Sequence, residues 1–316
     1  MSDFIAAHLW PGAKVERSIF GTADPVEIWR AVQELCPEAE EAFHFEVSVG
    51  ALVGLRLRDG SRVALKVHRG LKPSFLDAVQ VVQRHLWEVG FPCPRPLGRR
   101  GRGTNRDAHD RATLEEWDDP EVRRTMAALL ARLVAVTTPL GHVPGLRRVF
   151  FRPGTLWPIP HSALFDFEAT AAGAERIDEV ARVAKPICDR PVGRRVAGHG
   201  DWSAKHLRFD ELRPVVVYDW DSLNTDREPV FVGIAAATFT YTEALEVALW
   251  PSADEAAAFL DDYDAARGAS LTPDERAVAE AWATYTRAYA ARCTHAVGKR
   301  VAYDELEAYA DAFLGR

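Results

Sequence analysis

Residues 196–223 read VAGHGDWSAKHLRFDELRPVVVYDWDSL, and three of the four aspartates within this stretch decide the fold. Asp201, Asp219 and Asp221 stand beside two short apolar runs, KHLRF and PVVVYDW, separated by the turn-like DELRP. The pattern predicts a β-hairpin, with Asp201 just before one strand and Asp219 at the end of the other. That hairpin would bring two carboxylates together. A charged side chain beside buried backbone is costly unless it is paired, and adjacent carboxylates repel until one holds a proton or both share a cation. The spacing therefore asks for a hard divalent ion.

Upstream, HFEVSVGALVGLRLRDGSRVALKVH predicts three strands, at residues 44–49, 52–58 and 62–68, with Asp59 and Gly60 turning the second into the third. Lys66 falls in the third strand, and Gly50, Ala51 and Gly54 in the hairpin before it. A lone strand lysine reads most simply as edge protection. In this order, however, the parts form a set: Gly-bearing backbone to cover phosphates, an ammonium to neutralise them, and carboxylates to bring a metal and orient a hydroxyl.

The flanking sequence sorts into two lobes. PVEIWRAVQELC, opened by Pro25, predicts an amphipathic helix; a second runs over about 74–88, and FPCPRPLG is extended. Arg99 to Arg111, RRGRGTNRDAHDR, has the composition of a surface loop, without the interleaved aromatics that single-stranded nucleic acid would need. ATLEEW at 112–117 reads as a last strand. Beyond it, Asp119 and Pro120 start a helix with an apolar stripe of Val122, Met126, Leu129, Leu130 and Leu133. More helices fit 163–185 and 229–248, and capping boxes at Ser252/Glu255 and Thr272/Glu275 open the last two. The class is α+β, with a small β-rich lobe over 1–116 and a larger helical lobe over 117–316.

A chain of 316 residues, 47% hydrophobic, is long enough for two lobes with their own cores. Lys plus Arg number 39 against 46 Asp plus Glu, so no basic surplus points to nucleic acid. The N-terminal MSDFIAAHLWPGAKVERS lacks a secretion signal, and no apolar run approaches the ~20 residues of a membrane helix, so a cytoplasmic protein without a membrane partner is expected. Cys36, Cys93, Cys188 and Cys293 are too widely spaced for a zinc or redox motif.

VALK at Val63–Lys66, HGD at His199–Asp201 and DWD at Asp219–Asp221 resemble the lysine strand, catalytic loop and metal-binding segment of the aminoglycoside phosphotransferase family, a branch of the protein-kinase-like fold. The resemblance extends over about residues 25–310. It implies a two-lobed kinase-like fold and transfer of the γ-phosphoryl of ATP or GTP to the hydroxyl of a small molecule, such as an aminoglycoside or another amine-bearing compound, with Mg2+ or Mn2+. Carried over, Asp201 orients or accepts the hydroxyl proton, and Lys66 pairs with the α and β phosphates. Asp219 binds the metal, Asp221 assists, and His199 holds the loop. Leu114 to Trp117, with Glu115 and Glu116 between them, becomes the hinge that meets the base.

Two positions depart from that pattern. Kinase-like catalytic loops read H-x-D-x-x-x-x-N, and here the last position is His206. Imidazole suits manganese or zinc better than magnesium, so His206 either binds a softer ion or merely hydrogen bonds a neighbour. In the helix PSFLDAVQVVQRHLWEVG, the Glu that would pair with the strand lysine is missing; Gln80 fits its register best, with Asp77 and Gln83 as neighbours. These losses leave an alternative, a catalytically inactive kinase-like nucleotide- or ligand-binding protein. A protein kinase fits less well, since there is no D-F-G and the chain passes quickly from DWDSLN into REPVFVGIAAATF. Asp254, Glu255, Asp261, Asp262, Asp264, Asp274 and Glu275 on the late helices would suit a cationic acceptor if they lined a pocket, and otherwise form a solvated face. Trp202, Trp250 and Trp282 read as core or as a surface for stacking.

Overall fold

A computed structural model describes residues 24–47, 50–68, 71–97, 102–104, 119–149, 154–160, 162–242 and 250–315. Helix α1 (Pro25–Leu35) opens on Asp24, whose carboxylate accepts the Val26 N–H at 2.8 Å, with Pro25 where no N–H is needed. Strands β1 (Ala39–Val47), β2 (Gly50–Leu57), β3 (Arg62–His68) and β4 (Arg102–Thr104) form one antiparallel sheet in that order. Gly60, at φ 80°, makes the expected turn between β2 and β3. Val63 and Leu65 of β3 are buried with Val53, Leu55 and Val32 of α1. Strand alternation therefore puts Lys66 and His68 on the opposite face, toward the second lobe.

Two expectations for this lobe need correction. Strand β1 begins at Ala39, ahead of the predicted 44, because its register with β2 shifts twice, between Ala39 and Glu41 and between Ala42 and His44. Each irregularity interrupts the alternation by which a strand is read. Residues 102–104 of the expected surface loop pair with β3; the rest of that loop and the expected strand at 112–117 lie outside the described residues.

Helix α2 (Pro73–Glu88) buries Phe75, Val79, Val82 and Leu86 against the large core of the second lobe. That lobe holds α3 (Pro120–Thr137), α4 (Glu175–Cys188), α5 (Glu228–Thr238), α6 (Ala253–Arg267), α7 (Pro273–Ala296) and α8 (Tyr303–Leu314). The Asp119 cap and both capping boxes form as read. The helix expected at 163–185 begins only at Glu175, after Gly173 takes a left-handed φ of 82°, and it continues through Pro186 to Cys188. The helix expected at 229–248 ends at Thr238, with residues 243–249 outside the described set.

Strands β6 (Leu207–Asp210) and β7 (Arg213–Val217) make the predicted hairpin. A second ladder, β5 (Arg195–His199) with β8 (Leu223–Arg227), was not legible. It seats the HGD and DWD segments side by side, with Gly198 pressed on Phe231 of α5 so closely that a Cβ would fall 2.5 Å from the ring. The four cysteines are free thiols. Among the described residues no helix is long and apolar enough to cross a membrane.

Candidate active site

His199, at the end of β5, is fully buried. Its Nδ1 accepts the Asp201 N–H at 3.2 Å, so Nε2 carries the proton and donates to the Tyr218 carbonyl at 2.9 Å. Burial, reinforced by the neighbouring His206, lowers its pKa to about 4, and the ring stays neutral. It ties the loop after β5 to the end of β7.

Held this way, Asp201 keeps 36% of its side chain exposed. Its Oδ2 accepts His206 Nε2 at 2.9 Å and lies 3.2 Å from Lys205 Nζ, while Ser203 Oγ reaches Oδ1 at 3.4 Å. Burial raises the Asp201 carboxyl, but the hydrogen bond and charge of His206, with Lys205, outweigh it and hold the group below the usual carboxylate range.

Asp219 follows β7 with φ 62° and ψ 46°, a left-handed conformation that costs a non-glycine residue on the order of 1–3 kcal/mol. Ser222 stabilises the turn, its N–H donating to Asp219 O at 2.9 Å and its Oγ to Asp219 Oδ2 at 2.6 Å. From the other lobe, Lys66 donates to Asp219 Oδ1 at 2.5 Å and also to Asp221 Oδ1. Burial lowers the Lys66 ammonium, yet the two carboxylates outweigh it and raise it. One ammonium cannot fully neutralise two carboxylates. Burial raises both, but Asp219 is held low by Lys66 and His206, whereas Asp221 is pushed to about 6 by burial and the charge of Asp219. His68 Nδ1 lies 3.5 Å from Asp221 Oδ2.

Donor atoms of Asp201, His206 and Asp219 all fall within 4.8 Å of one another. Two carboxylate oxygens and an imidazole nitrogen fit a divalent cation. Asp221 sits beside this group, on Lys66.

Gly50 opens β2 opposite His68, and Ala51 pairs with Val67. Gly54 lies within β2, where a Cβ would come 2.8 Å from His44 and from the Phe43 ring, so close packing also demands glycine there. Half-buried Gln80 makes no hydrogen bond to Lys66 among the described residues; Gln83 donates to the Pro94 carbonyl at 2.8 Å, and Asp77 is exposed. Glu115, Glu116 and Trp117 lie outside the described residues. Of the late-helix acids, Asp262 pairs with Arg123, Asp261 and Asp264 with Arg276, and Glu255 and Glu275 close their capping boxes.

Sequence reasoning missed Lys205, Ser222 and His68. His68 follows Lys66 by two residues on one strand face, a signal the period-2 rule provides. Lys205 sits in the single 3-10 turn Ala204–His206, too short for any periodicity to orient a side chain.

No protein-family model matches the chain, and no curated protein matches it in sequence. Solved structures do match. The amicoumacin kinase hAmiN in complex with AMP-PNP, Ca2+ and Ami superposes with a TM-score of 0.62 at 9% identity, over 90% of this chain and 92% of that one. Plasmodium vivax ethanolamine kinase gives 0.54 at 12% identity over 97% and 95% of the two chains, and a type I macrolide 2'-phosphotransferase 0.53 at 16% over 94% and 98%. The fold is the two-lobed, α+β kinase-like fold of these proteins.

Proposed function

We propose that the chain is a small-molecule phosphotransferase that moves the γ-phosphoryl of ATP or GTP onto a substrate hydroxyl, in a cleft between a nucleotide-binding lobe (residues 1–116) and a helical acceptor lobe (residues 117–316). One observation carries this: Lys66 from the sheet converges with Asp219 and Asp221, and Asp219 in turn lies beside His206 and Asp201. The kinase-like fold supports it, as does a structural neighbour bound to AMP-PNP and Ca2+.

Here Asp201 accepts a hydrogen bond from the acceptor hydroxyl and takes its proton late, as its low basicity and a loose transition state favour. Lys66 neutralises the α and β phosphates, Gln80 of α2 serves the same nucleotide site, and the backbone of Gly50, Ala51 and Gly54 covers the phosphates. Glu115, Glu116 and Trp117 meet the base. Asp219 and His206, with Asp221 beside them on Lys66, would hold Mg2+ or Mn2+, whose charge would screen the phosphoryl oxygens. The residues act by positioning and charge, and the reaction is placed in the cytoplasm.

The Lys66 contact with both aspartates favours a second reading, an inactive nucleotide-binding module. Transfer of labelled γ-phosphoryl across a panel of amino, neutral and acidic hydroxyl compounds, with Mg2+ and Mn2+, separates the two. We expect transfer that falls ~10²–10⁴-fold in Asp201→Asn with nucleotide binding retained. Nucleotide binding without transfer in the natural chain would establish the inactive module.

A further inference from the structure

His68 closes β3, opposite Gly50 of β2 and two residues beyond Lys66 on the strand face turned toward the second lobe. Val67, between them, packs on the core of the sheet. Only 6% of the His68 side chain is exposed, yet its Nδ1 is buried without a hydrogen bond, 3.5 Å from Asp221 Oδ2. Buried polar atoms are nearly always bonded, so an orphan beside the Lys66 cluster asks for a partner that the present arrangement does not supply. Burial, with the charge of Lys66 behind it, lowers the His68 pKa to about 4, so the ring is neutral and one of its two nitrogens carries a proton.

Lys66 sets when that partner arrives. An ammonium has three N–H groups, and two of them reach Asp219 and Asp221. Pairing with an α and a β phosphate takes two, so one carboxylate must be released. Asp219 has a second donor of its own, Ser222 Oγ at 2.6 Å on Oδ2. On Asp221, among the described residues, the N–H hydrogen bond is that of Lys66. Asp221 is therefore the carboxylate left without its cation, and with its side chain 10% exposed, water replaces that bond poorly. His68 Nδ1 lies beside its other oxygen, on the same strand that carries Lys66.

We propose that His68 is a positioning residue for Asp221: when nucleotide phosphates draw Lys66 off that carboxylate, His68 donates from Nδ1 to Asp221 Oδ2 and keeps it in the cleft beside Asp219. This rests on the phosphotransferase reading only for bringing phosphates to Lys66, and it adds to that site a residue that the motifs do not name.

Two replacements in the full chain decide it. His68→Leu removes the donor, whereas His68→Asn keeps an N–H near the position of Nδ1. Affinity for a non-hydrolysable ATP analogue with Mg2+, read by titration calorimetry, should fall about tenfold in His68→Leu and less than about threefold in His68→Asn. In an Asp221→Ala background, His68→Leu should change that affinity by less than about twofold, since the coupled partner is gone. Without nucleotide, the melting temperature of His68→Leu should match or exceed that of the natural chain, because a buried orphan atom is lost. Heteronuclear NMR of isotope-labelled histidines, with the His68 signals identified by their loss in His68→Asn, should show the proton on Nδ1 once the analogue binds. A merely structural role would move the melting temperature and not that signal. Unchanged affinity in His68→Leu, an equal loss in His68→Asn, the same loss without the Asp221 carboxylate, or a proton on Nε2 in the loaded chain would each overturn the assignment. Failure of the natural chain to bind the analogue would overturn the phosphotransferase reading and this assignment with it, whereas binding that is undiminished in His68→Leu overturns the assignment alone.

Discussion

His206 is the residue at which this chain parts most clearly from other kinase-like loops, and its imidazole is engaged with Asp201 Oδ2 at 2.9 Å and 3.8 Å from Asp219 Oδ2. A nitrogen donor between two carboxylates favours manganese over magnesium relative to the amide oxygen that Asn would supply. Mn2+ should therefore support transfer at least as well as Mg2+, and His206→Asn should move both the binding preference, read by Mn2+ electron paramagnetic resonance, and the activity toward Mg2+. An unchanged preference in the variant would leave His206 as a hydrogen-bonding residue only. Asp219 offers a second test, because Asn tolerates its left-handed backbone and Ala does not. Asp219→Asn should abolish transfer with little added strain, and Asp219→Ala should be less stable than Asp219→Asn by about 1 kcal/mol in urea unfolding.

At the scale of elements, legibility followed locality. Capping boxes at Ser252 and Thr272 could be read because every partner lies within three residues. Helix α5 gave no such signal, since every one of its residues is buried and no polar face marks its limits. Its first residue, Glu228, is fully buried and receives bonds from Arg194, Arg267 and Tyr263, contacts 34 to 39 residues away that no local pattern announces. Burial raises the Glu228 carboxyl, but those donors outweigh it and hold it below the ordinary 4.5. Its contribution to stability is thus present above pH 4.5 and lost as pH falls through the lower folded value. Glu228→Gln should cost about 3–5 kcal/mol by leaving two arginines uncompensated, and its melting temperature should fall less steeply than that of the natural chain as the solution is acidified below that point. Gly198→Ala, forced against Phe231, should cost about 1–3 kcal/mol in the same assay.

For the whole molecule, the motif residues named the two lobes and the groups that meet between them, but not how they meet. Nothing in the sequence announces that Lys66 bridges Asp219 and Asp221 across 153 and 155 residues of chain. No sequence periodicity reports on a contact of that span. The sheet and α1 form a core separate from the one that α2 shares with the helical lobe, so calorimetry is expected to show two transitions in Lys66→Met, and one merged, higher transition in the natural chain with nucleotide bound across the cleft. A contact that closes so long a loop also forms late, after each lobe has its own core. The site is therefore finished by docking, and whatever fills it guards the whole chain from the proteases that attack opened forms. The consequence is one of abundance: at equal rates of synthesis, a cell supplied with the proposed nucleotide and acceptor would keep more of it than a cell without them.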